Sequence, residues 1–435
     1  MTDLPDALTL LDALARPGTV LLDSARPDAD SGAAGGLLFA GPVRTVEART
    51  LAEVRPALDA LDAALAEGFH VAGMLAYEAG AALVDGLGPC DVDPTVPLVW
   101  FGVYAAPERV SPERLAAAFA EPAHARVRDL TFGLSREAYR ERIAAAKAHI
   151  RAGDVYQVNL TAPLRFRTQA APAAHYAALR RQQAVPYGAM LALPDATVLS
   201  VSPELFLRVD AAAGAAADAG PGGGPGGCTV TARPMKGTAP RGATPDADDA
   251  LARALLASEK DRAENLMIVD LLRNDLARVA EPGSVRVPHL FDAERYATVT
   301  QMTSTITAAL RADVGLADVF AATFPCGSVT GAPKRRAVEV LRALEDGPRG
   351  AYCGAVGYAA PAAGGGLGTA AFSVAIRTAV LARGEGRYSV GSGVVWDSRA
   401  DDEYDECLLK ARPLAALADA AIRIAEPATE PAAAR

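Results

Sequence analysis

The sequence predicts an α+β fold built on large antiparallel β-sheets. Strand-like runs and helix-like runs are grouped rather than strictly alternating, which disfavours a doubly wound parallel sheet. Three strand runs follow one another in meander order late in the chain: "AYCGAVGYAA", "GTAAFSVAIRTAVLA" and "RYSVGSGVVWDS". The 435 residues, 51% of them hydrophobic, can bury one large core or two to three ordinary ones, and no internal repeat suggests a solenoid.

In chain order, residues 1–130 mix strand-like runs such as "GTVLLDS" and "PLVWFGVY" with alanine-rich amphipathic helices, and "HVAGMLAYEAG" ends on turn glycines. A helix is predicted between the N-cap Ser135 and the C-cap Gly153. "DVYQVNLTAPLRFR" alternates apolar and polar residues with period two, the signature of a half-buried strand. "ATVLSVSPELFLRVD" and "GCTVTARPMKG" read as two further strands. Between them, "AAAGAAADAGPGGGPGG" is too rich in glycine and alanine to build a core and is expected to be a floppy hairpin tip. Residues 245–279 read as one helix or two, with "IVDLL" buried on most sides. Strands around "YATVTQMTSTITAAL" and a short helix, "GLADVFAATF", follow. The glycine-rich turn "PCGSVTGAPK" then opens another helix, with Pro333 where a first turn accepts proline. "DDEYDECLLKARPLAALADAA" is the last helix, and residues 416–435 are expected to be a flexible tail.

A net charge of −9, a pI near 5.2 and the lack of a basic stripe argue against a nucleic-acid partner. No run approaches the roughly 18 apolar residues of a membrane span. The acidic start "MTDLPDALTLLDALARPG" lacks the basic region and cleavage site of a signal peptide, so a cytoplasmic protein is expected, with no membrane partner. Cys90, Cys228, Cys326, Cys353 and Cys407 have no CxxC spacing and are expected to be reduced thiols. Five histidines without an HxxxH or HExxH pattern leave any metal to carboxylates.

Two acidic sets could supply those carboxylates. Asp261 and Glu264 lie three apart, and Glu403, Glu406 and Lys410 fall at i, i+3 and i+7, so each set shares a helix face. Each set alone reads either as a solvated charged face or as half of an oxygen-only site suited to Mg2+. The apolar run after Glu264 puts that residue at a core edge, where an unpaired carboxylate is costly. Gly391 and Gly393 sit inside a strand, a place glycine takes when backbone must approach something closely. Arg377, in the apolar run "FSVAIRTA", needs an anion, from the protein as an ion pair or from a substrate. Lys236, in "ARPMKGTAPRG", is a surface charge on a turn or a nucleophile. At the ordinary pKa of ~10.4 only about one lysine amine in 2,500 is free at pH 7, so the second role needs a depression of ~3 units. Pro234 and Pro240 would stiffen the loop around it.

In order, "DVYQVNLT", "SPELFL", "RPMKGTAPRG", "EKDRAENLMIVDLLRND", "FPCGSVTGAPK", "AYCGAVGY", "FSVAIRT", "GSGVVWDS" and "EYDECLLKA" resemble the chorismate-utilising enzymes, the family that includes anthranilate synthase component I. The resemblance is weak over the first third and strong from about residue 136 to 411. The implied fold is two large antiparallel sheets packed face to face, helices outside, with the active site in a cleft between two lobes. The implied regions are an amino-terminal one over 1–130 and a chorismate-binding catalytic one over 131–415. Carried over residue by residue, Glu264 and Glu406 resemble Mg2+ ligands, with Glu403 and Asp261 beside them and the ion meeting the ring carboxylate of chorismate. Tyr352 and Arg377 resemble contacts to the enolpyruvyl carboxylate. Gly391 and Gly393 would offer backbone N–H groups, Lys410 a charge, and Thr330 and Gly331 the pocket floor. Glu204 of "SPELF" resembles the general acid/base that protonates the departing C4 hydroxyl.

Two positions discriminate within the family. Anthranilate synthases usually carry alanine where Lys236 stands, whereas the branch that aminates chorismate at C4 carries lysine. The resemblance therefore implies attack of the Lys236 amine at ring C2 with loss of the C4 hydroxyl. Ammonia then attacks C4 with loss of the lysine, giving 4-amino-4-deoxychorismate on the way to para-aminobenzoate and folate. Isochorismate and salicylate synthases place a water-activating lysine where this chain has Gln157, and glutamine takes no proton from water. Gln301 stands where many relatives have histidine, and no acid/base role is carried there. The chain shows no GxCxG turn with a downstream HxE, so a separate glutamine amidotransferase subunit is the expected ammonia source. "LLDSARP" resembles a tryptophan-binding segment, which makes tryptophan a candidate ligand. The rival readings are anthranilate synthase component I, told apart by its product, and a non-catalytic metabolite-binding scaffold, told apart by a lack of turnover.

Overall fold

The structure is a computed structural model that describes residues 7–26, 35–120, 125–211, 227–296 and 299–425. Its described residues form an 11-stranded and a 10-stranded sheet, and the strand pairs are antiparallel except where Arg423–Ile424 runs parallel to Arg128–Phe132. Alternation divides each strand's side chains between two faces. In Val99–Tyr104 of the smaller sheet, Val99, Phe101 and Val103 join a core with the helices Leu51–Ala66, Glu259–Ala277 and Leu316–Thr323, while Trp100 and Tyr104 face the other sheet. In Tyr187–Ala192 and Thr197–Ser202 of the larger sheet, Ala189, Leu191 and Val198 meet that same inter-sheet core. Met190 and Leu199 turn the other way, towards Arg136–Arg151, Pro172–Gln182, Lys334–Leu344 and Ala400–Ala415. The layers are therefore helices, sheet, sheet, helices.

The strands of residues 1–130 are shared between the two sheets. Thr19–Ser24 pairs with Tyr187–Ala192 in the larger, and His70–Leu75 with Ala355–Pro361 in the smaller, so position 130 marks no boundary in either sheet.

Three predicted strands break in two. Thr197–Ser202 belongs to the larger sheet and Leu205–Asp210 to the smaller, so the chain crosses between sheets at Pro203 and Glu204. Leu367–Val374 and Thr378–Ala382 cross the opposite way, and Arg377 takes φ +52 at that step. The crossings run side by side, since Ser200 pairs with Thr378 and Leu205 with Ser373. The predicted three-strand meander is thus two hairpins in different sheets. Pro234, with no N–H for the ladder, separates Thr229–Arg233 from Met235–Pro240, and both pieces pair with Val299–Ala309. Arg286–Arg295, not expected from the sequence, is a further strand on Val299–Ala309.

The helical stretch 245–279 is two helices, Pro245–Ala257 and Glu259–Ala277, and the Ser258 hydroxyl between them caps the second by accepting from the Asp261 N–H. Ser135 caps Arg136–Arg151 in the same way. The strands flanking the expected hairpin tip pair as antiparallel neighbours, and residues 212–226 of the tip lie outside the described residues. The tail expected to be loose from 416 is instead tied down at Arg423–Ile424, and residues 426–435 lie outside the described residues. The cysteines are free thiols, and among the described residues no helix is long and apolar enough to cross a membrane.

Candidate active site

Glu204 and Arg377 sit at the two crossings between sheets, and Gly391 and Gly393 lie beside them on Glu385–Val394, opposite Thr161 and Asn159. Lys236 starts from an edge strand of the smaller sheet, yet its amine reaches the larger one. A Cβ built on Gly393 would lie 3.2 Å from Lys236 Nζ and 2.9 Å from Gln157 Nε2, so glycine is needed for that approach. Gly237, at φ +92, turns the same loop against the start of Glu259–Ala277, where an added Cβ would meet Asp261 Cβ at 3.0 Å. The Lys236 charge pulls down the carboxyls of Glu204, Glu264 and Glu406 alike. The amine is turned towards acids.

Glu204 is 3% exposed, and burial raises its carboxyl to about 6 against the pull of Ser328, Lys236, the Met235 backbone and Lys410. Its Oε1 has no hydrogen-bond partner among the described residues. Such a carboxyl is half protonated near pH 6, a balance that suits proton transfer.

Four acids face the site from two helices. Burial raises Glu264, opposed by Lys236 and Lys260 and reinforced by Asp261 and Glu403, and Lys260 Nζ stands 3.9 Å from Glu264 Oε1. Burial raises Glu403 too, with Ser398 opposing and Glu406 reinforcing. At Glu406 burial also pushes up, but Lys410 at 2.6 Å, with Lys236 and Lys260, outweighs it and leaves the carboxyl below its usual range. Lys410 donates as well to the Gly391 carbonyl at 2.8 Å. By donor type these oxygens fit a hard divalent cation, and their like-charge crowding is what such an ion relieves. Among the described residues no three acids, histidines or cysteines converge as a ready metal centre, and Lys410 holds Glu406.

Arg377 has no acidic partner among the described residues; its Nη1 donates to Gln183 Oε1 at 3.4 Å. Burial holds the guanidinium below its usual range, opposed by Tyr388 and Tyr296. Of the two sequence readings, an ion pair within the protein finds no acid at Arg377 among the described residues. Tyr352 is buried, and burial followed by Cys353 pushes its hydroxyl up; Tyr388 neighbours both it and Arg377. Thr330 is fully buried, and its hydroxyl donates within its own loop to Cys326 O at 3.0 Å and Gly327 O at 3.2 Å. Gly331, at φ +149, pairs with Val158, and an added Cβ would strike Gln157 O at 2.1 Å. Gln301 accepts from Thr238 Oγ1 at 3.0 Å.

The sequence reading missed three neighbours. Lys260 is the i−4 partner of Glu264, a spacing that could have flagged it. Ser328 carries no local signal, nor does Tyr296. The latter backs the segments that carry Glu204 and Lys236, its hydroxyl donating to Pro203 O at 3.4 Å and standing 4.0 Å from Met235 Sδ.

A family model described as chorismate binding enzyme matches residues 19–416. The chain is 45% identical over 286 residues, 66% of its length, to an aminodeoxychorismate synthase of Streptomyces griseus, covering 37% of that protein. It is 38% identical over 314 residues, 72% of its length, to aminodeoxychorismate synthase component 1 of Klebsiella aerogenes, covering 62% of it. It is also 39% identical over 288 residues, 66% of its length, to an anthranilate synthase component 1 of Haloarcula marismortui, covering 55% of it. The chain thus spans only part of each relative. Anthranilate synthase component I from Streptococcus pneumoniae TIGR4 superposes with a TM-score of 0.71 at 24% identity, over 86% of this chain and 91% of that one, a likeness of fold.

Proposed function

The chain belongs to the chorismate-binding enzyme family, and from that premise we propose that it is the chorismate-converting component of an aminodeoxychorismate synthase. The observation that carries this reading is the Lys236 amine, which lies against Gly393 and Gln157 within the field of Glu204, Glu264 and Glu406. In the proposed reaction the neutral amine gives its lone pair to ring C2, the ring double bonds shift, and the C4–O bond breaks. Glu204, protonated, gives its proton to the departing hydroxyl, which leaves as water. Ammonia then bonds to C4, the C2–N bond breaks, Lys236 recovers its neutral amine, and the new C4 ammonium returns a proton to Glu204. The sum is chorismate plus ammonia giving 4-amino-4-deoxychorismate plus water. Arg377, without an acidic partner among the described residues, would take the enolpyruvyl carboxylate beside Tyr352.

Glu264 and Glu406, with Glu403 and Asp261 alongside, are the residues that would hold Mg2+, whose chemistry there is neutralisation of the ring carboxylate. Gln157 supplies no base for water, which favours ammonia as the nucleophile. A glutamine amidotransferase is the proposed source, in keeping with relatives named as component 1. The reading places the enzyme in the cytoplasm, serving para-aminobenzoate and folate formation.

Relatives named anthranilate synthase component 1 support a second reading in which the same cleft eliminates pyruvate to give anthranilate. One assay separates the two: chorismate, ammonium chloride and Mg2+, with products identified by mass spectrometry. 4-Amino-4-deoxychorismate that disappears on chelation and returns with Mg2+ supports the proposal. Anthranilate plus pyruvate supports the rival, and no turnover supports a scaffold. A thermal shift with tryptophan tests the amino-terminal "LLDSARP" segment, and no shift removes tryptophan as a ligand.

A further inference from the structure

Gln157–Arg167 has a gap along one edge. On the side away from Glu385–Val394, Gly331–Ala332 pairs with residues 157–158 and Arg128–Phe132 with residues 164–167. Between those partners no described strand reaches residues 159–161, yet buried backbone groups must be paired. The Asn159 N–H donates to Thr330 O at 2.8 Å. Two of the other open groups are met by side chains. Arg349 Nη2 donates to Asn159 O at 2.7 Å, and the Thr161 N–H and hydroxyl both donate to Glu345 Oε1 at 2.9 Å.

Arg349 and Glu345 also bind each other, Nε to Oε2 at 2.9 Å and Nη2 to Oε1 at 2.7 Å, and Arg349 Nη1 donates to Val329 O at 2.7 Å. Asn159 and Thr161 stand opposite Gly393 and Gly391, and Val329 precedes Thr330. One ion pair therefore ties the Val329 loop to the strand that pairs with Gly391 and Gly393. The amino-terminal region holds the pair in turn: Glu78 accepts from the N–H of Arg349 at 2.7 Å and of Gly350 at 3.0 Å, and the Arg349 guanidinium lies 4.3 Å from the Tyr77 ring centroid. Tyr352 follows three residues after Arg349.

We propose that Arg349 and Glu345 are positioning residues for the chorismate cleft, acting as a substitute strand that sets Gly391, Gly393 and Thr330 at their working distances. This rests on the reading of the cleft given above. Burying two charges costs several kcal/mol, and an apolar pair is often as stable, so stability alone is a poor reason for an ion pair at this spot. The planar fork of arginine meets four oxygens from fixed directions, which lysine does not reproduce.

The test uses the full chain with chorismate, ammonium chloride and Mg2+, and reads KM, kcat and the thermal midpoint separately. Arg349→Met is expected to raise KM for chorismate about tenfold or more, the scale on which a backbone misplacement of ~1 Å costs function. Arg349→Lys recovers part of the loss. Glu345→Gln, which keeps the shape, raises KM roughly three- to tenfold with little change in midpoint. Should Arg349→Met fail to fold, the other two variants carry the test. Folded variants with unaltered KM and kcat overturn the positioning role, as does an activity loss that matches the lost folded fraction at unchanged KM. If the parent protein neither binds nor converts chorismate, the reading of the cleft fails and the positioning role falls with it; turnover by the parent with unaffected variants removes the positioning role alone.

Discussion

The space between the sheets is packed with apolar side chains at one end and lined with charge at the other. At the packed end Trp100 and Tyr104 of the smaller sheet meet Leu191 and Val198 of the larger, and Phe39 sits against Tyr104 with ring centroids 5.3 Å apart. At the charged end the strand face is stripped to Gly391 and Gly393, and Lys236, Glu204 and Gln157 enter instead. There Oε1 of Glu204 and both amide atoms of Gln157 lack partners among the described residues. Close packing at one end holds the sheets at a set separation, and that rigidity lets the other end keep buried polar groups that stability alone would not select.

The contrast is broken most severely at the charged end. Lys236→Met keeps the aliphatic stem and removes the amine. Turnover of chorismate with ammonium is expected to fall about 10²- to 10⁴-fold, the range that a positioned reacting group supplies, while a melt shows little change. An unaltered rate removes the covalent role. Glu204→Gln is expected to cost about 10²-fold for the same reason. Its pH profile is more telling than its rate. With the carboxyl at about 6, its protonated fraction falls as pH rises through that value, so kcat/KM carries a declining limb on the alkaline side that is missing in the variant.

A gentler change tests the space itself. In Gly393→Ala the new methyl lies 2.9 Å from Gln157 Nε2 and 3.2 Å from Lys236 Nζ. Turnover is expected to drop about tenfold in a normally folded protein, because the amine must move. The packed end gives the opposite pattern. Trp100→Ala is expected to lower stability by about 3–5 kcal/mol in denaturant unfolding, with kcat per folded molecule unchanged. A matching loss of kcat there would show that the two ends are not independent.

Much of this was legible before the structure. Ser135 as a cap, Pro234 as punctuation before Lys236, and the helix faces of Glu264 and Glu406 follow from rules that act over a few residues. The crossings at Pro203–Glu204 and at residues 375–377 were not legible. Both sheets are buried, so the apolar pattern runs on unbroken as the chain leaves one for the other. Arg286–Arg295 was missed because it is largely exposed and lacks a clean two-residue alternation. Glu345 and Arg349 carry no sequence signal beyond an i, i+4 spacing just past Lys334–Leu344, and only the missing strand beside Asn159 and Thr161 distinguishes them.

Short-range chemistry settles which segments coil, which extend and which residues carry charge or nucleophilicity, because caps, periodicity and turn preferences are decided among near neighbours. It does not settle their company. Glu204, Lys236, Glu264 and Glu406 are brought into one field by strand register and by the packing of sheets and helices. Those are long-range contacts, and no local rule encodes which distant strand will lie alongside.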